Sequence, residues 1–201
     1  MPHKIIKYCS IKNDTVNVNG KTILKTTEIP GTSKQFKEIY QSLCIDYPKF
    51  YKMDMLSKLA FLASEFLTKG IDELISEKDT AILISNRHST IDDDTKYLQS
   101  ITGENYFPNP ALFVYTLPNV MIGEISIRKN IKGETLFIST NGFSGEALSI
   151  CLSNMVFSNC IAGFVEYENE NNFEAALFFL EKTEHFGNIA LDKEFNRLYN
   201  N

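Results

Sequence analysis

The stretch GETLFISTNGFSGEAL, Gly133–Leu148, decides the fold. It begins with a short apolar strand, Leu136–Ser139, and continues through a tight polar turn, Thr140–Gly142. A helix that is apolar on nearly every side is predicted from about Ser144 to Phe157. This layout presents a catalytic nucleophile at a helix N-terminus, where free N–H groups and the helix dipole favour negative charge. Because the apex residue Gly142 has no side chain, the sequence predicts the backbone layout of a catalytic site without a nucleophile.

Two residues of this turn also have purely structural interpretations. Ser144 is of the right type and position to cap the helix, and glycine at Gly142 relieves strain in a turn. As a nucleophile, Ser144 would need the esterase motif, which has glycine two residues after the serine, whereas Gly145 is adjacent. Its base would have to be His88 or His185. Hydrolase chemistry is therefore disfavoured.

Length and charge limit the class of protein. At 201 residues we expect a single domain, 1–201, with one sizeable core. The net charge of −5 and the absence of a basic stripe argue against nucleic acid as a partner. No apolar run reaches the length of a membrane span, and Met1–Ser10 lacks the apolar region of a signal peptide. We therefore expect no membrane association and a cytoplasmic location.

Residues that bind metals or form disulfides show no diagnostic spacing. The cysteines lie inside apolar stretches without a CxxC pair and are predicted to be buried free thiols: Cys9, Cys44, Cys151 and Cys160. The three histidines have no HExxH spacing. Asp92–Asp94 lacks the glycine and distal carboxylate of a calcium loop and suits the first turn of a helix. We expect no metal and no cofactor.

The order of the remaining elements predicts a layered α/β domain with a mixed sheet. Asn19-Gly20 is a strong signal for a β-hairpin, and Asp54 is a candidate helix cap. Thr80–Ser85 is an apolar run typical of a strand buried on both faces. The remaining predicted elements are strands Lys4–Cys9, Cys160–Glu166 and Phe173–Glu181, and helices Thr32–Leu43, Asp54–Lys69, Ile91–Ser100, Pro118–Asn130 and Asp192–Tyr199.

The ordered motifs resemble the β-ketoacyl synthase family. Asn109–Phe113 and Leu117–Asn119 resemble its Phe-Pro…Pro-Asn segment, and Ser139–Gly145 resembles its Ser-Thr-Ala-Cys-Ala-Ser-Gly nucleophile turn. The resemblance covers about Lys4 to Glu181 and implies the N-terminal half of a thiolase-like fold. More narrowly, the chain is similar to short ketosynthase-like proteins encoded beside aryl-polyene and flexirubin-type pigment genes.

The chain departs from the family pattern where the chemistry is performed. Gly142 replaces the nucleophile cysteine, and Glu134 replaces a proline. The paired catalytic histidines, or the His/Asn pair, belong to the other half of the family fold. The resemblance therefore implies a degenerate, non-catalytic subunit, or a module that binds an acyl chain or an acyl carrier protein in fatty-acid or polyketide-type biosynthesis. Two alternatives remain: an acyltransferase active only with a partner that supplies catalytic residues, and a remnant that binds a small ligand without a pathway partner.

The expected partners follow from the same resemblance. They are a second copy of the chain or a full ketosynthase, and an acyl carrier protein. A helix that is apolar all round needs cover from loops and the early hairpin or from another chain, and the candidate contact segments are Leu136–Ser139 and Phe107–Tyr115. The candidate residues that face a ligand or a partner are Ser139, Thr140, Asn141, Phe143, Ser144, Phe113 and Asn119.

Overall fold

A mixed sheet of seven strands forms the centre of the fold, as the sequence predicts. The computed structural model describes residues 3–27, 31–102, 106, 108–183 and 190–201. The strands are β1 (His3–Lys12), β2 (Thr15–Val18), β3 (Lys21–Lys25), β4 (Thr80–Asn86), β5 (Thr135–Ser139), β6 (Asn159–Asn169) and β7 (Asn172–Lys182). Their order across the sheet is β3-β2-β1-β7-β6-β4-β5.

Helices connect and cover these strands. They are α1 (Thr32–Ser42), α2 (Met55–Thr68), α3 (Ile91–Ile101), α4 (Pro110–Tyr115), α5 (Val120–Lys129), α6 (Gly145–Ser153) and α7 (Leu191–Tyr199), with 3₁₀ turns at Pro48–Lys52 and Asp72–Leu74. No helix in the described ranges is long and apolar enough to cross a membrane.

The strands β4, β5 and β6 form the parallel part of the sheet. β4 lies between the other two and pairs parallel with both, whereas the remaining pairs are antiparallel. All seven residues of β4 are buried, which confirms the prediction for Thr80–Ser85. A strand covered on both faces reads as a continuous apolar run because neither face needs polar side chains.

Helices cover both faces of the sheet, so the molecule has two apolar cores. Ile84 points into the core formed with α1, α2 and α5. Its neighbour Leu83 points into the core formed with α6 and α7. Successive side chains of a strand point to opposite faces, and the apolar run of β4 therefore serves both cores.

The early hairpin lies far from α6. Asn19 and Gly20 have φ values of 50° and 74°, as a type I′ turn requires, which confirms the predicted hairpin. Its strands β2 and β3 form the sheet edge opposite to β5. The suggestion that this hairpin covers α6 is therefore wrong. The helix α7 packs there instead, through Phe195, whose side chain is fully buried.

Side-chain hydrogen bonds mark two helix ends that were not predicted from the sequence. The helix α6 ends at Ser153 rather than Phe157, and the Asn154 side chain donates to the Ile150 carbonyl at 2.9 Å. The helix α4 was not predicted, although Asn109 accepts from the N–H groups of the first turn and Pro110 begins the helix. Proline is favoured at the first position of a helix, so Asn109-Pro110 was a local signal for this helix.

Candidate functional site

The predicted strand–turn–helix unit joins β5 to α6. The Thr140 N–H donates to the carbonyl of Asn86, the last residue of β4, at 2.8 Å and so continues the ladder into the turn. Gly142 has φ 105°, a conformation that side chains rarely adopt. A Cβ placed on Gly142 would meet no atom within 4 Å. Backbone conformation, rather than crowding, therefore favours glycine at this apex.

The N-terminus of α6 is capped from within the chain. The Ser144 Oγ accepts from the Ala147 N–H at 3.1 Å, as expected of a helix cap. The Asn196 Oδ1 of α7 accepts from the Gly145 N–H at 3.2 Å. These are the donors that an anion or a developing oxyanion uses at a helix N-terminus. Two of them are thus already satisfied by side chains of this chain.

The contact between α7 and the start of α6 is close enough to require glycine. A Cβ on Gly145 would lie 2.5 Å from the carbonyl oxygen of Asp192 and 2.9 Å from Cβ of Phe195. Both neighbours belong to the first half of α7. A side chain at this position would therefore push the two helices apart.

Phe143 strengthens the same contact. Its ring stacks on Tyr199, with centroids 3.9 Å apart and planes 2° from parallel. The Tyr199 hydroxyl donates to Oε1 of Glu174 on β7 at 2.8 Å. Burial is the main cause that raises the pKa of Tyr199, followed by this hydrogen bond. Phe143 was a candidate to face a ligand or a partner, and it packs against α7.

The outer side of α6 is only partly covered within the described residues. Leu148 and Leu152 are buried against the sheet, but Ile150 is 58% exposed and Val156, which follows the helix, is 89% exposed. The described residues therefore do not cover this side of the helix, and cover by another chain stays a prediction. Apolar side chains on this side remain accessible to another molecule.

The other candidate residues do not converge on the turn. Asn141 is exposed within the turn, and Ser139 is exposed at the end of β5. Phe113 lies on α4, where it contacts the ring of Tyr97, and Asn119 precedes α5. In the described part of the chain, no hydrogen bond or ring contact joins either residue to the turn. Of the candidate contact segment Phe107–Tyr115, Phe107 lies outside the described residues.

A histidine–glutamate pair lies at the carboxyl ends of β4 and β6, where α/β sheets commonly bind ligands. The Glu166 side chain is only 8% exposed, and its Oε1 lies 3.4 Å from Nδ1 of His88. Its Oε2 accepts from the Arg87 N–H at 2.6 Å. From the sequence, His88 was predicted only as a possible base for Ser144, and Glu166 was not predicted as a site residue. The available signal was an acidic residue inside the apolar strand β6.

The other potential ligands are dispersed. Asp92 pairs with Lys96, and Asp94 accepts from Thr90. Asp93 is buried apart from them. Across the described ranges, no group of three or more His, Cys, Asp or Glu side chains is placed to hold a metal ion.

The cysteines are free, but not all are buried. Burial raises the pKa of Cys9 to about 12 and the pKa of Cys160 further still. Cys151 is half-buried. Cys44, which follows α1 and has φ 54°, is exposed, and this corrects the prediction of four buried thiols.

Comparisons with known proteins identify the fold. Protein-family models give no match, and neither do the curated proteins. The chain is similar to a chain in the complex of the ketosynthase ApeO with its chain length factor ApeC from Xenorhabdus doucetiae. The TM-score is 0.56 at 15% identity, and the alignment covers 91% of this chain and 80% of that one.

A second solved structure gives the same result. It is AntDE:AntF, a type II polyketide synthase acyl carrier protein in complex with its ketosynthase bound to the hexaketide. The TM-score is 0.56 at 16% identity, with 91% of this chain and 63% of that chain covered, so this chain spans less than two thirds of its length. The chain has the α/β fold of these ketosynthase-like structures.

Proposed function

We propose that this chain is a non-catalytic, ketosynthase-like subunit that pairs with a full ketosynthase in polyketide-type or fatty-acid assembly. The observation that carries the proposal is the tip of α6. Glycine stands at the apex, at Gly142, and side chains of the chain itself satisfy the Gly145 and Ala147 N–H groups. Covalent acyl transfer needs a nucleophile and free donors for the developing oxyanion.

The fold supports this role because related folds occur in assemblies of that kind. The ApeO structure is a complex of a ketosynthase with a chain length factor, and the AntDE:AntF structure contains an acyl carrier protein. We therefore propose a ketosynthase as the main partner and an acyl carrier protein as a further one. A second copy of this chain is the other candidate partner. We also propose that the chain is related to the short ketosynthase-like proteins encoded beside aryl-polyene and flexirubin-type pigment genes.

The strand β5 offers a surface for such a partner. It pairs with β4 on one side and forms the edge of the sheet on the other. The Glu134 carbonyl and the Thr140 N–H bond to β4 at its two ends. Alternate residues of a parallel strand bond to the same neighbour, so Thr135, Phe137 and Ser139 direct their backbone groups outward. Such an edge accepts a strand from another chain.

The experiment removes one outward N–H group. Thr135→Pro deletes this donor on an exposed residue and leaves the bonds to β4 in place, since proline is tolerated on edge strands. Thr135→Val is the matched control because it keeps the N–H. Mass photometry with the ketosynthase proposed as the partner should show a complex that the proline variant weakens ~10-fold or more. Equal binding by both variants would contradict pairing through β5.

A second candidate function is an acyltransferase that is complete only in complex. The open space around Gly142 favours it, because groups of another chain can approach the apex without a clash. The two candidates differ in one readout. If the partner's nucleophile is replaced, condensation should be abolished under either candidate function. If Thr140→Val and Ser144→Ala are introduced into this chain and the complex still forms, turnover should be lost only if the chain is an acyltransferase.

A further inference from the structure

The helices α3 and α4 form an arm that buries few of its own side chains; the buried cap residue Thr90 joins the two helices by donating to the Thr116 carbonyl at 3.0 Å. Of all residues in α3, only Asp93 is buried, at 3% exposure, and no residue of α4 is buried. The two helices contact each other through Tyr97 and Phe113, with ring centroids 5.5 Å apart. An arm with so little buried apolar surface has low local stability. Its attachment therefore depends strongly on what Asp93 contacts.

Asp93 contacts another carboxyl group. Its side chain shares a hydrogen bond with Asp54, the N-cap residue of α2. The Asp54 carboxylate also accepts from the N–H groups of Leu56 and Ser57, at 2.9 Å and 3.2 Å. Burial raises the pKa of Asp54, whereas these N–H bonds and the positive end of the α2 dipole act against that rise by stabilising a negative charge there. The proton of the pair is therefore held on Asp93.

A cavity of about 310 Å³ lies beside this pair, between the start of α2 and the two helices of the arm. Water can reach the pair through this cavity if the arm moves. Several charged or titratable groups face the pair: Lys52 before α2, Lys58 on α2, Asp92 and Lys96 on α3, Tyr115 on α4, Glu124 on α5 and Tyr167 on β6.

We propose that the Asp54–Asp93 pair is a proton-dependent latch that holds the α3–α4 arm against α2. With a proton in the pair, the two carboxyl groups attract each other through a hydrogen bond. Without it, two like charges face each other in a buried site, and the arm is released. The proposal is independent of the function proposed above.

The direction of the pH dependence follows from the change in environment. Burial, followed by the charge of Asp54, raises the pKa of Asp93 to about 8 in the closed arm. In the open arm, Asp93 is in water and has the ordinary pKa of about 4. Closing therefore binds a proton between about pH 4 and pH 8. The opening constant should rise up to ~10-fold per pH unit across this window and level off above it.

Most neighbours do not share this behaviour. Burial raises the pKa of Tyr115 and of Tyr167 to about 12, which keeps both neutral throughout the window. Burial lowers the pKa of Lys58, while the charge of Asp54 opposes that change. Lys96 lowers the pKa of Asp93, and Asp92 raises it. Only variants of Asp54 or Asp93 can therefore show that this pair causes the pH dependence of the opening constant.

Hydrogen exchange of the α3 amides from pH 5.5 to pH 8.5 tests the latch, after division by the intrinsic exchange rates. The wild-type chain should open ~10-fold more per pH unit up to about pH 8. Asp93→Asn, which has the shape of the protonated acid and still donates to Asp54, should abolish the slope. Asp94→Asn, which removes an exposed charge in the same turn, should keep it.

Two outcomes would overturn the proposal. One is a wild-type opening constant that does not change between pH 5.5 and pH 8. The other is a slope that persists in Asp93→Asn. If that variant does not fold, carbon-13 NMR of the wild-type aspartate carboxyls replaces it. One carboxyl should titrate near pH 8, and the absence of any aspartate that titrates above pH 7 would equally refute the latch.

Discussion

The contact between α6 and α7 makes a sharp prediction for Gly145→Ala. The added methyl group would lie 2.5 Å from the Asp192 carbonyl oxygen, which is backbone and cannot rotate away, and 2.9 Å from Cβ of Phe195. Overpacking of this kind costs ~1–3 kcal/mol. Alanine regains up to about 1 kcal/mol in helix propensity. Because the 2.5 Å contact is a severe overlap with backbone, we take the upper part of the overpacking range, about 2–3 kcal/mol, and expect a net loss of about 1–2 kcal/mol in the free energy of unfolding.

The assay is thermal unfolding followed by far-UV circular dichroism. For a chain of this size, the expected loss lowers Tm by ~2–8 °C. Gly123→Ala on α5 is the matched control, because its Cβ would meet no atom within 4 Å. It should raise stability by up to about 1 kcal/mol. If Gly145→Ala is as stable as the wild type while Gly123→Ala behaves as expected, α7 does not pack on α6 in this way.

Two further predictions concern thiol reactivity and a buried ion pair. Under native conditions, a thiol reagent should label the exposed Cys44 first and Cys160 only after unfolding, because burial raises the pKa of the Cys160 thiol and blocks access to it. Peptide mass spectrometry measures the order of labelling. Early labelling of Cys160 would contradict the prediction. Glu65→Gln should lower the free energy of unfolding by about 1–3 kcal/mol, because buried Glu65 binds Arg128 through two hydrogen bonds and the guanidinium is partly exposed. A urea midpoint equal to that of the wild type would refute the second expectation.

Features that depend on neighbouring residues were predictable from the sequence. The Asn19-Gly20 turn and the Asp54 cap are local, because each needs only its own backbone and the next few residues. The apolar run Thr80–Ser85 identified the buried parallel strand for the same reason. These elements were enough to predict a layered α/β fold with a mixed sheet.

Features that depend on distant residues were not predictable. The tip of α6 is capped by Asn196, which lies on a helix near the far end of the chain, and no local pattern links them. The Asp54–Asp93 pair likewise joins two helix N-termini, each of which suits an acidic residue by itself. The end of α6 is held by hydrogen bonds from the Ser153 and Asn154 side chains to the Ile150 carbonyl. The strand, the turn and the start of α6 were therefore predictable from the sequence, but the residues that pack against them and cap the helix were not.

The most direct test of the central claim is the mass of the intact chain after reaction. The purified protein is incubated with the ketosynthase proposed as its partner and with an acyl-loaded acyl carrier protein, and each chain is weighed by mass spectrometry. Because Gly142 offers no nucleophile and α7 caps the tip of α6, we expect an acyl adduct on the ketosynthase and none on this chain. An acyl adduct on this chain that maps to the segment Ser139–Ser144 would contradict the non-catalytic role.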